Sequence, residues 1–298
     1  MDFTKDLKAT IVITTKNRLA DLKRCLKSCE NLNGIFEILV FVDGSEDGSY
    51  EYVKENYPNF SLYRSEISMG LINARSHCAK LAMNDIIISV DDDCVFQDKN
   101  TIVDILKYFK LPKVGVVTIP VIDVNNNNHL TQMPPNLNDY FLCSGFRGCG
   151  YAMRKDIFLE LGGFATNLVR QEEESDFSMN LYKHGYRIIA GVVNRPILHF
   201  HSTSNRNFKL ISFYRSRNKL LTKIKYTPLI VLVPILFQQV VHLTFHSFKD
   251  NSFKSCFEGF IDVFRMIYRG EIETNRMPIK QFLFYTKLRK LGYEKIRL

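Results

Sequence analysis

Three consecutive carboxylates, Asp91-Asp92-Asp93, follow the apolar run Ile86-Ile87-Ile88-Ser89-Val90. A buried strand can end in polar residues only where it meets solvent or a ligand. Three adjacent acids repel one another, which costs stability unless a cation offsets the charge. Mg2+ and Mn2+ prefer oxygen ligands and commonly share their shell with substrate phosphates. The triplet is therefore expected to form a metal–diphosphate site at the carboxyl end of a parallel strand, where open α/β sheets bind ligands. A solvated acidic turn is the competing reading.

Other strand ends carry polar residues on the same rim. The first strand runs into Thr14-Thr15-Lys16-Asn17-Arg18, and the second ends in Asp43. A rim of this kind is a binding site. Lys16-Asn17-Arg18 stands where a dinucleotide-binding chain carries G-x-G-x-x-G, and no G-x-x-x-x-G-K-[ST] occurs. A classical dehydrogenase and a P-loop enzyme are thereby disfavoured. A second carboxylate cluster, Glu172-Glu173-Glu174-Ser175-Asp176, opens a helical segment, where acids are favoured by the helix dipole alone. Helical spacing puts Glu173 and Asp176 on neighbouring positions and turns Glu174 about a hundred degrees away. His199 and His201 flank Phe200 at the end of the last strand, and alternation puts both on one face.

The elements that must position these residues alternate strand and helix. Strands are expected over 9–15, 35–42, 61–64, 86–90, 114–119, 146–153 and 187–193. Helices are expected over 19–29, up to about 56, 71–83, 102–109, 155–161 and 173–184. This order argues for a mostly parallel twisted α/β sheet flanked by helices. Residues 122–142, with Asn125 to Asn128 and Pro134-Pro135, read as one long loop. From Phe208 the text is helical and basic.

Charge divides the chain. Residues 201–298 hold 18 Lys and Arg against 6 Asp and Glu, a balance of +12, while residues 1–200 hold 22 against 25, or −3. The basic third suits an anionic membrane surface better than nucleic acid, because apolar blocks such as Leu229 to Val233 interrupt it. The stretch Leu229–Leu243 is broken by Pro234, Gln238, Gln239 and His242, short of the roughly 20 apolar residues a span needs, and is expected to lie at an interface. The seven cysteines show no zinc spacing and suit a reducing cytosol. No apolar signal region is seen at the start of the chain.

Six segments together resemble a family 2 glycosyltransferase with the inverting GT-A fold. They are IVITTKNR (11–18), FVDGSEDGS (41–49), MGLINARSHCAKLAMNDIIISVDDDCVF (69–96), RGCGYAMRKDIFLELGGF (147–164), EEESDFSMNLYKHGYRI (172–188) and HFHSTSNRN (199–207). The resemblance implies a nucleotide-sugar-binding catalytic domain over 1–205 and a helical C-terminal region over 206–298 for membrane, acceptor or oligomer contact. It implies that Thr14, Thr15, Asn17, Arg18, Asp43, Gly70, Arg75, Asp91, Asp92, Gly148 and Gly150 hold the nucleotide sugar. Asp93, with Asp91 and either His199 or His201, would bind Mg2+ or Mn2+ as the family's DxD motif and histidine do. Glu174, with Glu173 as the fallback, would be the general base. The donor would be a UDP-, GDP- or dTDP-sugar. The acceptor would be a saccharide or lipid-linked hydroxyl in cell-surface polysaccharide or glycolipid synthesis, at the inner face of the cytoplasmic membrane. A homodimer is the alternative use of the C-terminal helices. Two other functions compete: a nucleotidyltransferase on a similar scaffold, and a non-catalytic, membrane-associated sugar-nucleotide or polysaccharide binding protein.

Overall fold

The computed structural model describes residues 7–201, 207–249 and 251–296. The expected domain boundary at 205/206 and the 202–206 part of the last motif lie outside them.

The chain opens with β1 (Ala9–Thr15), α1 (Leu19–Cys29), β2 (Ile35–Asp43), α2 (Ser49–Asn56), β3 (Ser61–Ser65), α3 (Leu71–Leu81) and β4 (Ile86–Asp91). Every residue of β1 is buried, as is β4 up to Val90, so both run as continuous apolar text rather than alternating. In α1 the buried positions are Leu22, Cys25, Leu26 and Cys29, the spacing of one helical stripe. There follow β5 (Cys94–Val95), α4 (Thr101–Leu106), β6 (Val114–Thr118), β7 (Val121–Asp123), β8 (His129–Thr131), β9 (Phe141–Cys143), β10 (Gly150–Arg154), α5 (Lys155–Glu160), α6 (Glu173–Lys183), β11 (Arg187–Ala190) and β12 (Ile197–His199). The last third is α7 (Phe208–Tyr226), α8 (Leu229–Lys249), α9 (Phe253–Tyr268), α10 (Ile279–Leu291) and β13 (Tyr293–Lys295).

Nine strands form the main sheet in the order β13-β9-β11-β6-β10-β4-β1-β2-β3. The pairs β4–β1, β1–β2 and β2–β3 are parallel, and their register sets Thr14 beside Asp91 and Asp43 beside Ser65. The polar rim is thus a consequence of parallel pairing: three strands end together. Strand β10 runs antiparallel to β4, with Gly150 opposite Val90, and this carries residues 146–149 back over the end of β4.

Three expectations change. Residues 122–142 are not a structureless loop: β7 and β8 pair as a hairpin and β9 joins the main sheet. A smaller sheet, β5-β12-β7-β8, sets His199 beside both Cys94 and Asp123. The last third is helical but closes with β13, which pairs with β9 at the edge of the main sheet. Finally, α8 runs unbroken through Pro234, which lies near its start and removes one backbone bond. By length and composition it is the one helix among the described residues able to cross a membrane, and little of it is buried.

Candidate active site

At the end of β4 the three aspartates divide between two guanidiniums, Arg75 for Asp91 and Arg18 for both Asp92 and Asp93. Asp91 is held by the guanidinium of Arg75, from α3. Asp92 is buried; it accepts from Thr15 Oγ1 at 2.7 Å and lies 2.8 Å from Arg18 Nη1. Burial raises its carboxyl to about 7 against the pull of Arg18 and Thr15. Asp93 lies 2.7 Å from Arg18 Nη2 and 3.3 Å from His199 Nε2. Burial opposes its charge, but His199 and Arg18 outweigh it and hold the carboxyl well below the usual range.

The His199 contact has an unusual geometry. Asp93 Oδ1 is buried and has no hydrogen-bond partner among the described residues, although the imidazole nitrogen is only 3.3 Å away. The two form an ion pair, and the same carboxylate oxygen and ring nitrogen are close enough together to share a cation. The other ring nitrogen, Nδ1, lies 2.6 Å from Asp123 Oδ1, and Asp123 is in turn 2.9 Å from Arg147 Nη1. Burial disfavours protonation of His199, yet Asp93 and Asp123 carry it up to about 9. A carboxylate behind a histidine fixes which nitrogen faces a metal. Cys94 Sγ lies within 4.8 Å of the Asp93 and His199 ligand atoms, but it turns to the Cys149 carbonyl oxygen, 3.2 Å away. Burial holds that thiol protonated, and a soft sulfur is a poor ligand for Mg2+ or Mn2+. The oxygen and imidazole donors fit a hard divalent ion.

Arg75 connects the triplet to the second acidic cluster. Its side chain is nearly sealed from solvent; it donates to the Gly148 carbonyl oxygen at 3.0 Å and to Glu173 Oε1 at 3.5 Å, and lies 3.8 Å from Glu174 Oε1. Gly148 leaves room for this cluster: a Cβ there would sit 2.4 Å from the Glu174 carboxylate and 2.6 Å from Arg75 Nη1, so a larger residue would displace those two side-chain ends. Burial and the neighbouring Glu173 charge push Glu174 up to about 8, while Arg75 opposes the shift. Glu173 is also raised, again by burial first. Asp176 points elsewhere, to Lys225 Nζ at 3.0 Å and Tyr226 Oη at 3.1 Å, and fastens α7 to α6.

A cleft of about 570 Å³ lies beside these groups, walled by Thr14, Thr15, Lys16, Asp43, Gly70 and Glu173 among others. Asp43 accepts from Ser65 Oγ, Ser68 Oγ, Met69 N and Gly70 N, at 2.7 to 3.0 Å. A carboxylate has about four acceptor sites. Asp43 is therefore already engaged in ordering the 65–70 loop and the start of α3.

The sequence matches glycosyl transferase family 2 over residues 10–166, more than half of the chain. The chain belongs to that family. Its chemistry is sugar transfer. No curated protein matches it in sequence. Among solved structures the transferase is similar to mannosyltransferase PcManGT from Pyrobaculum calidifontis in complex with GDP-Man and Mn2+, with 15% identity and a TM-score of 0.55, covering 98% of this chain and 84% of that one. It is also similar to GalNAc-T7 with UDP, GalNAc and Mn2+, with 16% identity and a TM-score of 0.57, covering 73% of this chain but only 51% of that one. S. aureus TarS 1-349 in complex with UDP-GlcNAc gives 16% identity and a TM-score of 0.55, covering 73% and 67%. At these identities the likeness is one of fold, and the fold is GT-A.

The transferase brings most of the sequence-selected residues to one rim, with exceptions. Asp91 is turned to Arg75 and does not join the Asp93–His199 pair. His201 stands outside that pair too, its ring tilted on His199 with centroids 5.2 Å apart. Gly150 is in the core: a Cβ there would press on Ile197 and Val121. Asn17 ties two loops together, donating from its backbone to Ser45 Oγ and accepting from Glu46 N. Glu173 and Glu174, expected to diverge, both turn a carboxylate oxygen toward the same nitrogen, Arg75 Nη1, at 3.5 and 3.8 Å. Sequence reasoning missed Asp123 and Arg147 behind His199, and Ser68 on the cleft wall.

Proposed function

We propose that the protein is an inverting, metal-dependent transferase that moves a sugar from a nucleoside-diphosphate sugar to an acceptor hydroxyl in cell-surface polysaccharide or glycolipid synthesis. The observation that carries this reading is the buried, unpartnered Asp93 Oδ1 facing His199 Nε2. Asp93 and His199 would hold Mn2+ or Mg2+, with Asp123 fixing the imidazole. When bound, the metal neutralises the diphosphate leaving group as a Lewis acid. The nucleotides with Mn2+ in the complexes of PcManGT and GalNAc-T7, and the UDP-GlcNAc in that of TarS, support this choice of partners.

The residues divide the work by position. Thr14, Thr15, Ser68 and Gly70 line the nucleotide end of the cleft, and Asp43 holds the last two in place. Arg18 steadies Asp92 and Asp93 as a pair. Arg75 orients Asp91, the Gly148 carbonyl and both glutamates around the sugar end. Glu174 takes the acceptor hydroxyl proton. The acceptor oxygen then bonds to the anomeric carbon as the bond to the diphosphate oxygen breaks, and those electrons leave with the diphosphate. One displacement with one base inverts the anomeric centre. The basic third and the exposed face of α8 would seat the enzyme peripherally on the inner face of the cytoplasmic membrane.

Purified protein screened against UDP-, GDP- and dTDP-sugars for donor hydrolysis, with and without Mn2+, tests the reading. One donor should be hydrolysed in a metal-dependent way, and Asp93→Ala should abolish turnover while leaving the fold intact. Full activity in EDTA would sink the metal assignment.

A further inference from the structure

Three cations converge on a cavity next to the carboxylate cluster of α6. Lys219 and Lys223 project from successive turns of α7 and Arg289 from α10, and together with Thr222, Gln239 and Tyr285 they wall about 120 Å³. Glu172 is the one acid on this wall, 3.9 Å from Lys219 Nζ. Among the described residues no carboxylate lies within ion-pair distance of Lys223 or Arg289. Thr222 is 3% exposed, and its hydroxyl oxygen has no hydrogen-bond partner among the described residues. Burial and the neighbouring Arg289 lower the Lys223 ammonium to about 8. Lys219 and Lys223 are half-buried and Arg289 is exposed, so the cations crowd one another at the mouth of the pocket, while the buried Thr222 hydroxyl without a partner costs stability. A bound anion would supply both needs at once.

The cavity continues into a second cleft. Lys223, Gln239, Tyr285 and Arg289 also bound a space of about 520 Å³ between α8 and α10, whose other walls include Ile235, Val241, Phe245 and Phe282. Phe245 and Val241 are more than half exposed, so this trough opens along the apolar face of α8. A cationic pocket at the end of an apolar trough is complementary to a phosphate attached to a hydrocarbon chain. Glu172 and Ser175, which bracket Glu173 and Glu174, lie on the pocket wall and put the phosphate end beside the acids.

We propose that Lys219, Lys223, Arg289 and Thr222 bind the phosphate of a lipid phosphate whose hydrocarbon chain lies in the α8–α10 trough. This deepens the transferase reading by naming a lipid-linked acceptor, and the acceptor role rests on that reading; the binding site itself stands on the cations and the trough.

The test is binding by the full-length protein in mild detergent, with farnesyl phosphate, farnesol and inorganic phosphate as probes. Farnesyl phosphate should bind more tightly than either of the others. Lys223→Gln combined with Arg289→Gln should weaken it about tenfold to a hundredfold, the range for hydrogen bonds to a charged group. The control Lys254→Gln with Lys280→Gln, which removes two exposed charges from α9 and α10, should change it less than about twofold. The pocket variant should melt no lower than the parent, since it relieves crowding of like charges; should it fail to fold, Thr222→Val gives the same reading through the loss of one donor. Equal losses in the pocket and control variants would overturn the site in favour of diffuse charge. Equal binding of farnesol would overturn the phosphate, and equal binding of inorganic phosphate would overturn the lipid. Glu174→Gln protein should still bind farnesyl phosphate, so a failure of sugar transfer and a failure of this pocket are separately visible.

Discussion

Asn218, in the middle of α7, donates through Nδ2 to the carbonyl oxygen of Gln171 at 3.1 Å, joining the C-terminal third to the loop that launches the acidic helix. The same amide reaches the carbonyls of Leu168 at 2.9 Å and Arg170 at 2.6 Å. That loop is strained: Val169, Gln171 and Glu172 all have positive φ, near 62°, 66° and 69°. Such conformations cost on the order of 1–3 kcal/mol each and persist only where the surroundings hold them. The C-terminal helices are thus part of the site's scaffold.

Asn218→Ala should release the loop and take the side-chain donor from the carbonyls of Leu168, Arg170 and Gln171. The expected loss is about 1–3 kcal/mol of stability, read as a lower Tm. Glu173 and Glu174 would lose their fixed aim, so kcat should fall more than donor affinity. Unchanged kcat in a protein of lowered Tm would show that the loop finds its shape without α7.

His199 should owe its metal affinity to Asp123. Removing a carboxylate behind a ligating histidine typically costs about 10–100-fold in metal affinity. Asp123→Ala should raise the Mn2+ concentration needed for half-maximal activity by that order, with saturating Mn2+ restoring much of the rate. His201→Ala should shift the same curve far less, because His201 stands outside the Asp93–His199 pair. A reversed order of effects would move the ligand to His201.

The rim was legible in the sequence because it depends on local text. Continuous apolar runs that stop at Thr14, Asp43 and Asp91 mark parallel strands ending together, and parallel pairing then fixes which residues meet. The support behind the rim was not legible. Asp123 reaches His199 only through the pairing of β7 with β12, 76 residues apart, and it sits in an Asn-rich stretch with no periodicity. Asn218 left one trace: asparagine is a poor residue for a helix interior and is placed there for a reason. The strand β13 is three residues long, below what any repeat pattern can reveal. The four protein donors that Asp43 meets were not legible either, since a carboxylate at a strand end suits a nucleotide base and a backbone loop equally well.

Membrane association should combine a salt-sensitive and a salt-resistant part. Basic residues near an anionic surface contribute on the order of 1 kcal/mol each and are screened by salt. Ile230, Val233, Phe237, Val241 and Phe245 repeat every three or four residues along α8, all of them exposed. Binding to anionic vesicles should therefore weaken in high salt without vanishing, and replacing Ile230, Val233 and Phe237 by serine should remove the remainder without unfolding the protein. A full-length protein that ignores anionic vesicles and runs as a stable dimer would assign this face to a second copy instead.

The base should announce itself in the pH profile. Glu174 must be deprotonated to accept the acceptor proton, and its carboxyl is raised to about 8 by burial and by the Glu173 charge. The rate should therefore climb with pH through a limb well above the ordinary carboxylate range and level off beyond it. Glu174→Gln removes the base, for a loss of about 10²–10⁴ in kcat with donor affinity little changed. Glu173→Gln separates the two glutamates. It deletes a negative charge beside Glu174, which favours the charged form of Glu174 and lowers its pKa. If Glu174 is the base, this variant stays active and its limb moves to lower pH. Activity abolished by Glu173→Gln, with a profile unmoved by Glu174→Gln, would transfer the role to the residue that lines the 570 Å³ cleft.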